Sequence, residues 1–252
     1  MNGFKNRLRS GRPCIGAWMQ IPSITSAEAM CSMGFHWIAI DLEHSSNTLT
    51  QAEHAFIAAR AHGVAGFARI PSADPHLARN LLDCGAQGLI IANVDDRDEF
   101  AGFAEHCVYP PRGKRGVGLA RFNYWGDNFQ EYLAEFEPVL IPQIESIEGV
   151  SAAPDLVAMD LVDGLFLGPY DLSASLGQRG NFATKEFEQA ILSVRDACRE
   201  QGKPVGIHQV ELDPEELETR ISEGYSFVAY GTDILAMRHA LKNPFTGSDE
   251  AQ

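Results

Sequence analysis

The chain has 252 residues, of which 45% are hydrophobic and 21% charged, as in an ordinary globular protein with a substantial core. Its formal net charge of −14 argues against nucleic-acid binding, which requires a basic surface to neutralise phosphates. No apolar run approaches the roughly 18 residues of a membrane-spanning helix, and the N-terminus lacks the apolar segment of a secretory signal. Five scattered cysteines without metal-binding spacing favour reduced thiols and a cytoplasmic location.

Eight short apolar runs are predicted to be strands. Most are nearly continuous in hydrophobicity, which is typical of parallel strands that are buried on both faces. The runs are CIGAWMQI (14–21), WIAIDLE (37–43), AGFARI (65–70), GLIIANV (88–94), VLIPQIE (139–145), GLFLGP (164–169), PVGIHQ (204–209) and FVAYGT (227–232).

Helix signals fall between these runs. Thr25 and Glu28 have the spacing of a capping box, which predicts a helix start there. Asp74 precedes a proline and predicts the N-cap of another helix, with Gly85 as its end. Further starts are predicted in the same way elsewhere between the runs, so that each strand is followed by helical sequence.

The repeated alternation of strand and helix predicts a (β/α)8 barrel that occupies residues 1–252 as a single domain. A doubly wound open sheet is the alternative, but no glycine-rich phosphate loop follows the first strand. Within the barrel, residues 95–138 form a long connection between the fourth and fifth strands. Residues 233–252 are predicted to form a C-terminal helix and tail.

The long connection is rich in basic residues, and long ordered loops on barrels are usually functional. Arg112, Lys114, Arg115 and Arg121 lie within it. Two interpretations are open. These side chains could bind a distal carboxylate of a substrate, or they could serve as solvated loop charges and subunit contacts.

Polar and ionisable side chains gather where the predicted strands end. In a (β/α)8 barrel the active site forms at the carboxyl ends of the strands. Lys203 is the main charge at the opposite ends. The polar and ionisable residues at or just after the carboxyl ends are Asp41, Glu43, His44, Arg69, Gln143, Glu145, Asp171, His208, Gln209, Thr232 and Asp233.

Glu145 and Asp171 follow neighbouring strands and are expected to converge. Two carboxylates with room for water and a chelating substrate suit a hard cation such as Mg²⁺ or Mn²⁺. The alternative is that each carboxylate only caps the helix that follows it.

His44 is the candidate general acid or base, because the ordinary pKa of histidine lies close to working pH. Asp41 is expected to orient its ring, and the alternative is a loop histidine bonded to backbone. Arg69 ends a buried strand, where a charge needs a partner. It could bind a substrate carboxylate, pair with Asp41 or Glu43, or do both.

The chain resembles the metal-dependent pyruvate aldolases of the HpcH/HpaI family. The resemblance extends from GAWMQIPS to VAYGTD through DLEH, ARIP, LLDCGAQG, YPPRGKRGVG, PQIES and GPYDLSASLG, in that order. It implies a (β/α)8 barrel assembled as a homo-hexamer of two trimers, with the last helix exchanged between neighbours. It also implies a divalent ion (Mg²⁺, Mn²⁺ or Co²⁺) and reversible cleavage of a 4-hydroxy-2-oxo acid, of sugar-acid or dicarboxylic type, to pyruvate and an aldehyde.

The resemblance further implies a role for each matching residue. Glu145 and Asp171 correspond to the metal ligands. His44 corresponds to the acid/base residue, paired with Asp41. Arg69 corresponds to the group that binds the oxo or enolate oxygen of pyruvate.

Four more positions match the family's substrate site. Gln143 corresponds to a residue that lines the pyruvate pocket, and the backbone around Gly168 and Pro169 would meet the pyruvate carboxylate. Asp83 corresponds to a catalytic aspartate that reaches the site of a neighbouring subunit.

The sequence departs from the family pattern in two places. Ala92 and Asn93 replace a proline-methionine pair that is common after the fourth strand, and residues 120–128 (ARFNYWGDN) are bulkier than usual. These positions shape the aldehyde side of the site, so the departures leave the aldehyde undetermined.

Three alternative functions are distinguished by residues in the sequence. A lysine Schiff base is not expected, because no lysine follows a predicted strand. A lyase acting on a malyl or citramalyl thioester would need a site for coenzyme A. A protein that binds oxo acids without catalysis would have no need for His44.

Overall fold

Eight parallel strands close into a barrel in the computed structural model, which describes residues 3–242. Each strand pairs with its successor and the eighth pairs with the first, so the barrel has no open edge. This confirms the predicted (β/α)8 barrel and its eight strands. The strands are β1 (Cys14–Met19), β2 (Trp37–Asp41), β3 (Ala65–Ile70), β4 (Gly88–Ile91), β5 (Val139–Ile144), β6 (Leu165–Leu167), β7 (Val205–Gln209) and β8 (Phe227–Thr232).

Helices cover the outside of the barrel. They are α1 (Gly3–Arg9), α2 (Ile24–Cys31), α3 (Leu49–Ala61), α4 (Pro75–Cys84), α5 (Arg97–Glu105), α6 (Phe129–Glu135), α7 (Ile147–Ala158), α8 (Pro169–Ser175), α9 (Lys185–Glu200), α10 (Pro214–Ser222) and α11 (Asp233–Ala240), with a 3-10 helix at Arg121–Gly126. The predicted tail beyond residue 242 lies outside the described residues. No helix within residues 3–242 combines the length and apolar character needed to span a membrane.

Local capping chemistry explains where several helices begin and end. The Asp74 carboxylate accepts hydrogen bonds from the first backbone N–H groups of α4, and Gly85 ends that helix with a φ of 116°. The capping box predicted at Thr25 and Glu28 is wrong. Helix α2 begins earlier, because Ser23 has the extended backbone of an N-cap and its hydroxyl accepts from a backbone N–H in the first turn.

Aromatic rings fill the barrel interior, and glycines on neighbouring strands make room for them. The rings of Trp37 and Phe227 stack with centroids 4.2 Å apart. A Cβ added to Gly16 would lie 2.2 Å from the Trp37 ring, and one added to Gly88 would lie 2.1 Å from the Phe67 ring. Alternation of large and small residues therefore packs the centre to the density of a core, not a pore.

Helix α1 closes the amino-terminal end of the barrel with a buried ion network. Lys5 Nζ lies 3.1 Å from Asp163 Oδ2 and donates to the Pro138 carbonyl oxygen at 3.0 Å. Arg9 Nη2 lies 3.1 Å from the other Asp163 oxygen. Lys203, also at this end, donates to backbone carbonyls. These charges therefore stabilise the fold, and the chemistry must be sought at the opposite end.

Candidate active site

Strand β2 delivers a fully buried carboxylate to the carboxyl-terminal mouth of the barrel. Asp41 Oδ1 accepts hydrogen bonds from the backbone N–H groups of Glu43 at 3.0 Å and His44 at 3.2 Å. The Asp41 carbonyl oxygen accepts from the Ser45 hydroxyl and, at 3.1 Å, from Asn47 Nδ2. The loop after β2 is therefore fixed by its own polar groups, which places the side chains of Glu43 and His44 at the rim.

Arg69, from the neighbouring strand β3, forms ion pairs with both Asp41 and Glu43. Its Nε and Nη2 donate to the two oxygens of Asp41 at 2.9 and 2.6 Å, and its Nη1 lies 3.1 Å from Glu43 Oε2. Its guanidinium also lies over the Trp18 ring, 5.0 Å from the centroid. Burial alone would raise the pKa of Asp41, but Arg69 and the two backbone N–H groups lower it. Asp41 therefore stays ionised and anchors the arginine.

Some N–H donors of Arg69 are not used by Asp41 or Glu43. A guanidinium carries five N–H donors, and about three of them face Asp41 and Glu43. The side chain is 11% exposed, at the mouth of the barrel. The remaining donors can bind an oxygen of a substrate.

Glu145, directly after β5, is a buried carboxylate without a cation. It is 6% exposed, and no Lys, Arg or His side chain within residues 3–242 forms an ion pair with it. Its oxygens accept from the Gln143 side chain and, at 2.7 Å, from the backbone N–H of Asn93. Burial raises its pKa against these two hydrogen bonds, and the charges of Glu43 and Asp171 raise it further.

Asp171 is near enough to Glu43 and Glu145 for its charge to act on both carboxylates. It lies exposed in the first turn of α8, and its charge raises the pKa of both Glu43 and Glu145. Burial is the largest cause of the raised pKa of Glu43. The N-cap of α8 is Gly168, and no side chain caps this helix. The alternative role of Asp171 as a helix cap is therefore not observed.

This mutual repulsion fits a site for a hard divalent cation. In the described part of the chain, no three side chains of His, Cys, Asp or Glu converge tightly enough to form a metal cluster by themselves. Mg²⁺ commonly takes only one or two protein carboxylates and completes its shell with water and substrate oxygens. Gln143 Oε1 is also buried without a hydrogen-bond partner among these residues. The donor set at Glu145 and Asp171 is therefore compatible with a metal bound together with a substrate.

His44 lies at the rim with its ring open to solvent, 62% exposed. The Nε2 atom lies 3.7 Å from Glu43 Oε2. Asp41 contacts the backbone N–H of His44 and not the ring, contrary to the expectation that it orients the imidazole. The reason is that Arg69 and two backbone groups already occupy the Asp41 oxygens.

A cavity of about 100 Å³ opens beside these groups. Its walls are Trp18, Arg69, Gln143, Phe166, Leu167, Gly168, Pro169, Tyr170, Asp171, His208 and Val210. The structure thus brings five of the six predicted substrate and metal residues to one small space. The sixth, Glu145, is not in the cavity wall but accepts a hydrogen bond from Gln143, which is. Two larger cavities lie elsewhere, one between α5 and α7 and one beside the amino ends of β3 and β4.

The sequence model of the HpcH/HpaI aldolase/citrate lyase family matches residues 15–240. The chain belongs to this family. A 4-hydroxy-2-oxovalerate aldolase of Rhodococcus jostii is 38% identical over 239 residues, 92% of this chain and 90% of that protein. A hydroxypyruvate/pyruvate aldolase of Pseudomonas aeruginosa is 36% identical over 247 residues, 96% of this chain and 91% of that protein. A crystal structure of an HpcH/HpaI family protein from Burkholderia cenocepacia J2315 superposes with a TM-score of 0.89 at 30% identity, covering 95% of this chain and 96% of that one.

The predicted family is thereby confirmed, as are the predicted class of carbon–carbon lyase and the predicted aldolase function. The likeness covers the whole barrel, including every strand that ends at the cavity. The individual roles of the site residues stay predictions.

Two groups of predicted residues lie away from the cavity of this aldolase family member. Asp83 is near the end of α4, where it forms an ion pair of 2.6 Å with Arg115. The Arg115 side chain is fully buried beside the rings of Tyr109 and Phe136. The other basic residues of the long connection are also paired, Arg112 with Glu137, Lys114 with Glu105 and Arg121 with Glu53. These pairs favour the structural interpretation of the loop charges.

The sequence did not predict the contacts that three residues make in the site. Glu43 was visible as the middle carboxylate of DLEH, but its contact with Arg69 depends on the pairing of β2 with β3. Asn93 has a φ of 57°, which asparagine tolerates, and so presents its N–H to Glu145. Trp18 sits in an apolar run that carries no sign of its position beneath Arg69.

Proposed function

We propose that this protein catalyses the reversible aldol cleavage of a 4-hydroxy-2-oxo acid to pyruvate and an aldehyde, with a bound divalent metal ion. One observation carries this proposal: the carboxylate-anchored Arg69 lines a cavity at the carboxyl ends of the strands, and the buried, cation-free Glu145 lies directly behind its wall, 2.7 Å from where a Cβ on Gly168 would be. A positively charged Arg69 beside carboxylates that can hold a metal ion suits a substrate that bears a carboxylate and a ketone, because both the arginine and the metal bind oxygen atoms. The names of the relatives, pyruvate and 4-hydroxy-2-oxo acid aldolases, support the same chemistry.

Glu145 and Asp171 are the residues that we assign to the metal, which would be Mg²⁺, Mn²⁺ or Co²⁺. When bound, such an ion supplies the Lewis acidity that stabilises negative charge on the C2 oxygen of the substrate. Asn93 and Gln143 hold the Glu145 carboxylate in place by their hydrogen bonds. Their contribution is to fix the ligand before the metal arrives, as outer partners of metal ligands generally do.

Arg69 binds the C2 oxygen with the N–H donors that Asp41 and Glu43 leave unused. Because the guanidinium is already fixed by two carboxylates, little reorganisation is needed when charge develops on that oxygen. Gln143, Gly168 and the start of α8 surround the carboxylate end of the oxo acid, since they line the cavity.

His44 is the proton carrier of the reaction. It takes the proton of the C4 hydroxyl, directly or through a water, as the C3–C4 bond breaks. The electron pair of that bond becomes the C2–C3 double bond of the enolate, and the aldehyde leaves. Protonation of the enolate at C3 then gives pyruvate. The exposed position of His44 at the rim suits contact with the part of the substrate that departs.

Asp83 cannot reach the cavity through its own contacts, which are with Arg115. We assign it to the site of a neighbouring subunit in a homo-hexamer of two trimers. All five cysteines lie within the described residues and are free, which supports the cytoplasmic location that the sequence predicts.

The test is a panel of 4-hydroxy-2-oxo acids incubated with the enzyme and Mn²⁺, with pyruvate release followed through lactate dehydrogenase. We expect turnover, with chain length and distal charge of the panel members naming the aldehyde. Because the basic residues of the long connection are paired with carboxylates, we expect neutral aldehydes to be preferred over acidic ones. Absence of pyruvate from every member, combined with cleavage of malyl or citramalyl thioesters, would contradict the proposal and establish the thioester lyase instead.

A further inference from the structure

A second cavity, which we call the amino-end cavity, lies at the end of the barrel opposite the cavity that Arg69 lines. Its volume is about 510 Å³, against about 100 Å³ for the cavity at Arg69, and this is within the usual range of small-molecule sites. Its walls come from α1, α3, residues at the amino ends of β2, β3 and β4, and the 3-10 helix of the long connection. No step of the proposed aldol cleavage uses this cavity.

The charged side chains in the wall of the amino-end cavity are all positive. Arg7, Arg60 and Arg121 line it, and no aspartate or glutamate does, although the whole chain carries a formal net charge of −14. Arg121 pairs with Glu53 at 2.9 Å. Arg7 donates to the Pro13 carbonyl oxygen and Arg60 to a tyrosine hydroxyl, and neither forms an ion pair with a carboxylate within residues 3–242. The cavity is therefore a local positive site on an acidic protein, which favours an anion.

The uncharged polar side chains of the wall also present donors. His36 Nδ1 accepts from the Ile15 backbone N–H at 3.0 Å, so Nε2 carries the hydrogen of the neutral ring. Gln87 Oε1 accepts from the Gly66 backbone N–H at 3.2 Å, which leaves the Gln87 amide nitrogen to donate. In the described part of the chain neither of these nitrogens has a hydrogen-bond partner, and neither is sealed inside the protein. A ligand that only accepts hydrogen bonds, as a carboxylate does, matches this wall.

Phenylalanine rings form the apolar part of the same wall. Phe4, Phe35, Phe56 and Phe122 line the cavity. A Cβ added to Gly85 would lie 3.7 Å from Phe56 Cβ and 3.8 Å from the Phe122 ring, so these two residues lie on either side of one glycine. Four aromatic rings in one wall suit a flat aromatic body, because such rings gain from stacked and edge-on contacts beyond the area that they bury.

An unusual turn fixes two of the arginines at the cavity. Tyr124 and Trp125 are consecutive and have φ values of 51° and 54°, a left-handed backbone that is costly for bulky side chains and that occurs preferentially at ligand sites. The Arg60 guanidinium lies 4.4 Å from the centroid of the Tyr124 ring, and that of Arg121 lies 5.4 Å from the Trp125 ring. The turn therefore holds both cations in place before a ligand binds, which lowers the entropic cost of binding.

We propose that the amino-end cavity is a binding site for an aromatic carboxylate. The carboxylate contacts the arginines and the neighbouring N–H donors, since a guanidinium can bind a carboxylate through two parallel hydrogen bonds. The aromatic body packs on the phenylalanine rings. A neutral aromatic compound would leave the donors unused, and an inorganic anion would leave the rings exposed. This inference does not depend on the proposed function, because the amino-end cavity shares no lining residue with the cavity at Arg69.

The test is isothermal titration calorimetry of the full-length, metal-free protein with 2-naphthoate. We expect saturable binding at one site per chain. The neutral analogue 2-naphthamide keeps the rings and loses the charge, so it should bind about tenfold more weakly or worse. Arg60→Ala, at an exposed position that should not disturb folding, should weaken 2-naphthoate binding about tenfold or more. Arg199→Ala, whose side chain is 77% exposed on α9, is the matched control and should leave the affinity unchanged.

Four results would overturn the inference. The first is the absence of saturable 2-naphthoate binding up to about 5 mM. The second is equal affinity for 2-naphthamide, which would mean that the positive wall is not used. The third is wild-type affinity in Arg60→Ala, or displacement of 2-naphthoate by pyruvate, because the probe would then be bound elsewhere. The fourth comes from sedimentation velocity: an assembly that dissociates in Arg60→Ala but not in Arg199→Ala would show that a second copy of the chain occupies the cavity.

Discussion

Replacing Gly168 by alanine tests whether the position of Glu145 matters as the structure implies. A Cβ at Gly168 would lie 2.7 Å from Glu145 Oε2, 2.9 Å from Glu145 Cβ and 3.2 Å from Gln143 Nε2. Carbon atoms in contact prefer a separation of about 3.5–4.0 Å. Gly168 has a φ of −103°, which alanine adopts freely, so the added methyl acts by its volume and not through the backbone.

The displaced group is the proposed metal ligand. Glu145 would have to move by about 1 Å to restore a normal contact distance, and its 2.7 Å hydrogen bond from the Asn93 N–H would lengthen. Disturbing an outer partner of a metal ligand typically costs about 10–100-fold in metal affinity or activity. We therefore expect Gly168→Ala to weaken Mn²⁺ binding by at least tenfold. Overpacking should lower the free energy of unfolding by only about 1–3 kcal/mol.

Electron paramagnetic resonance of free Mn²⁺ during titration measures the affinity directly. Gly102→Ala in α5 is the matched control, because a Cβ there meets no atom within 4 Å. It should bind Mn²⁺ as the wild type does and be slightly more stable, since alanine favours a helix over glycine. Wild-type Mn²⁺ affinity in a folded Gly168→Ala protein would refute the reasoning, because Glu145 would then not be held where the metal needs it.

Three further predictions follow from the same structure. His44→Ala should lower kcat about 10²–10⁴-fold without changing the Mn²⁺ affinity. The control His76→Ala, at an exposed position on α4, should leave kcat and Mn²⁺ affinity unchanged. A fully active His44→Ala enzyme would contradict the role of His44 as proton carrier. Asp163→Asn should lower the free energy of unfolding in urea by about 3 kcal/mol, because the buried Lys5 would keep only the partly exposed Glu137, at 3.4 Å, as an ionised partner. A loss below about 1 kcal/mol would contradict that role. Burial raises the pKa of Glu145, so this group stabilises the metal-free fold below its ordinary pKa of 4.5 and loses that stabilisation as the pH rises through the raised value. At pH 8 the metal-free Glu145→Gln protein should therefore have a higher melting temperature than wild type. A lower melting temperature would contradict the raised pKa.

Local patterns predicted the strands and several helix ends because those depend on neighbouring residues. The continuous apolar runs mark buried parallel strands, and an aspartate before a proline at residues 74 and 75 suffices to start α4. The Thr25 and Glu28 box failed for an equally local reason. Ser23 offered a better N-cap two residues earlier, and the sequence does not rank competing caps.

The site was predictable as a list of residues but not as a set of contacts. Strand ends identified Asp41, Arg69 and Glu145, because barrel topology brings all strand ends to one face. The ion pair between Arg69 and Asp41 depends on the register between β2 and β3, in which these two residues are partners. The N–H of Asn93 reaches Glu145 only because of a left-handed backbone, which no composition rule assigns.

The ion pairs at the amino-terminal end of the barrel and in the long connection were not predicted. Lys5 and Asp163 are separated by most of the chain, and only the closed barrel brings α1 beneath the residues that precede β6. For Arg115 the sequence left open a substrate contact, a solvated loop charge or a subunit contact. Its burial beside Tyr109 and Phe136, with Asp83 as its ion partner, reflects how the long connection packs.

The metal requirement tests the central claim most directly. The enzyme would be stripped with EDTA, and pyruvate release from its best 4-hydroxy-2-oxo acid followed before and after Mn²⁺ is restored, in wild type, Glu145→Gln and Asp171→Asn. Glu148→Gln, at an exposed position near the ligand, is the matched control. We predict that EDTA abolishes the activity of all four proteins. Mn²⁺ should restore it in wild type and Glu148→Gln but not in Glu145→Gln or Asp171→Asn. Pyruvate release that ignores EDTA, or full recovery in Glu145→Gln, would contradict the assignment of Glu145 and Asp171 to the metal.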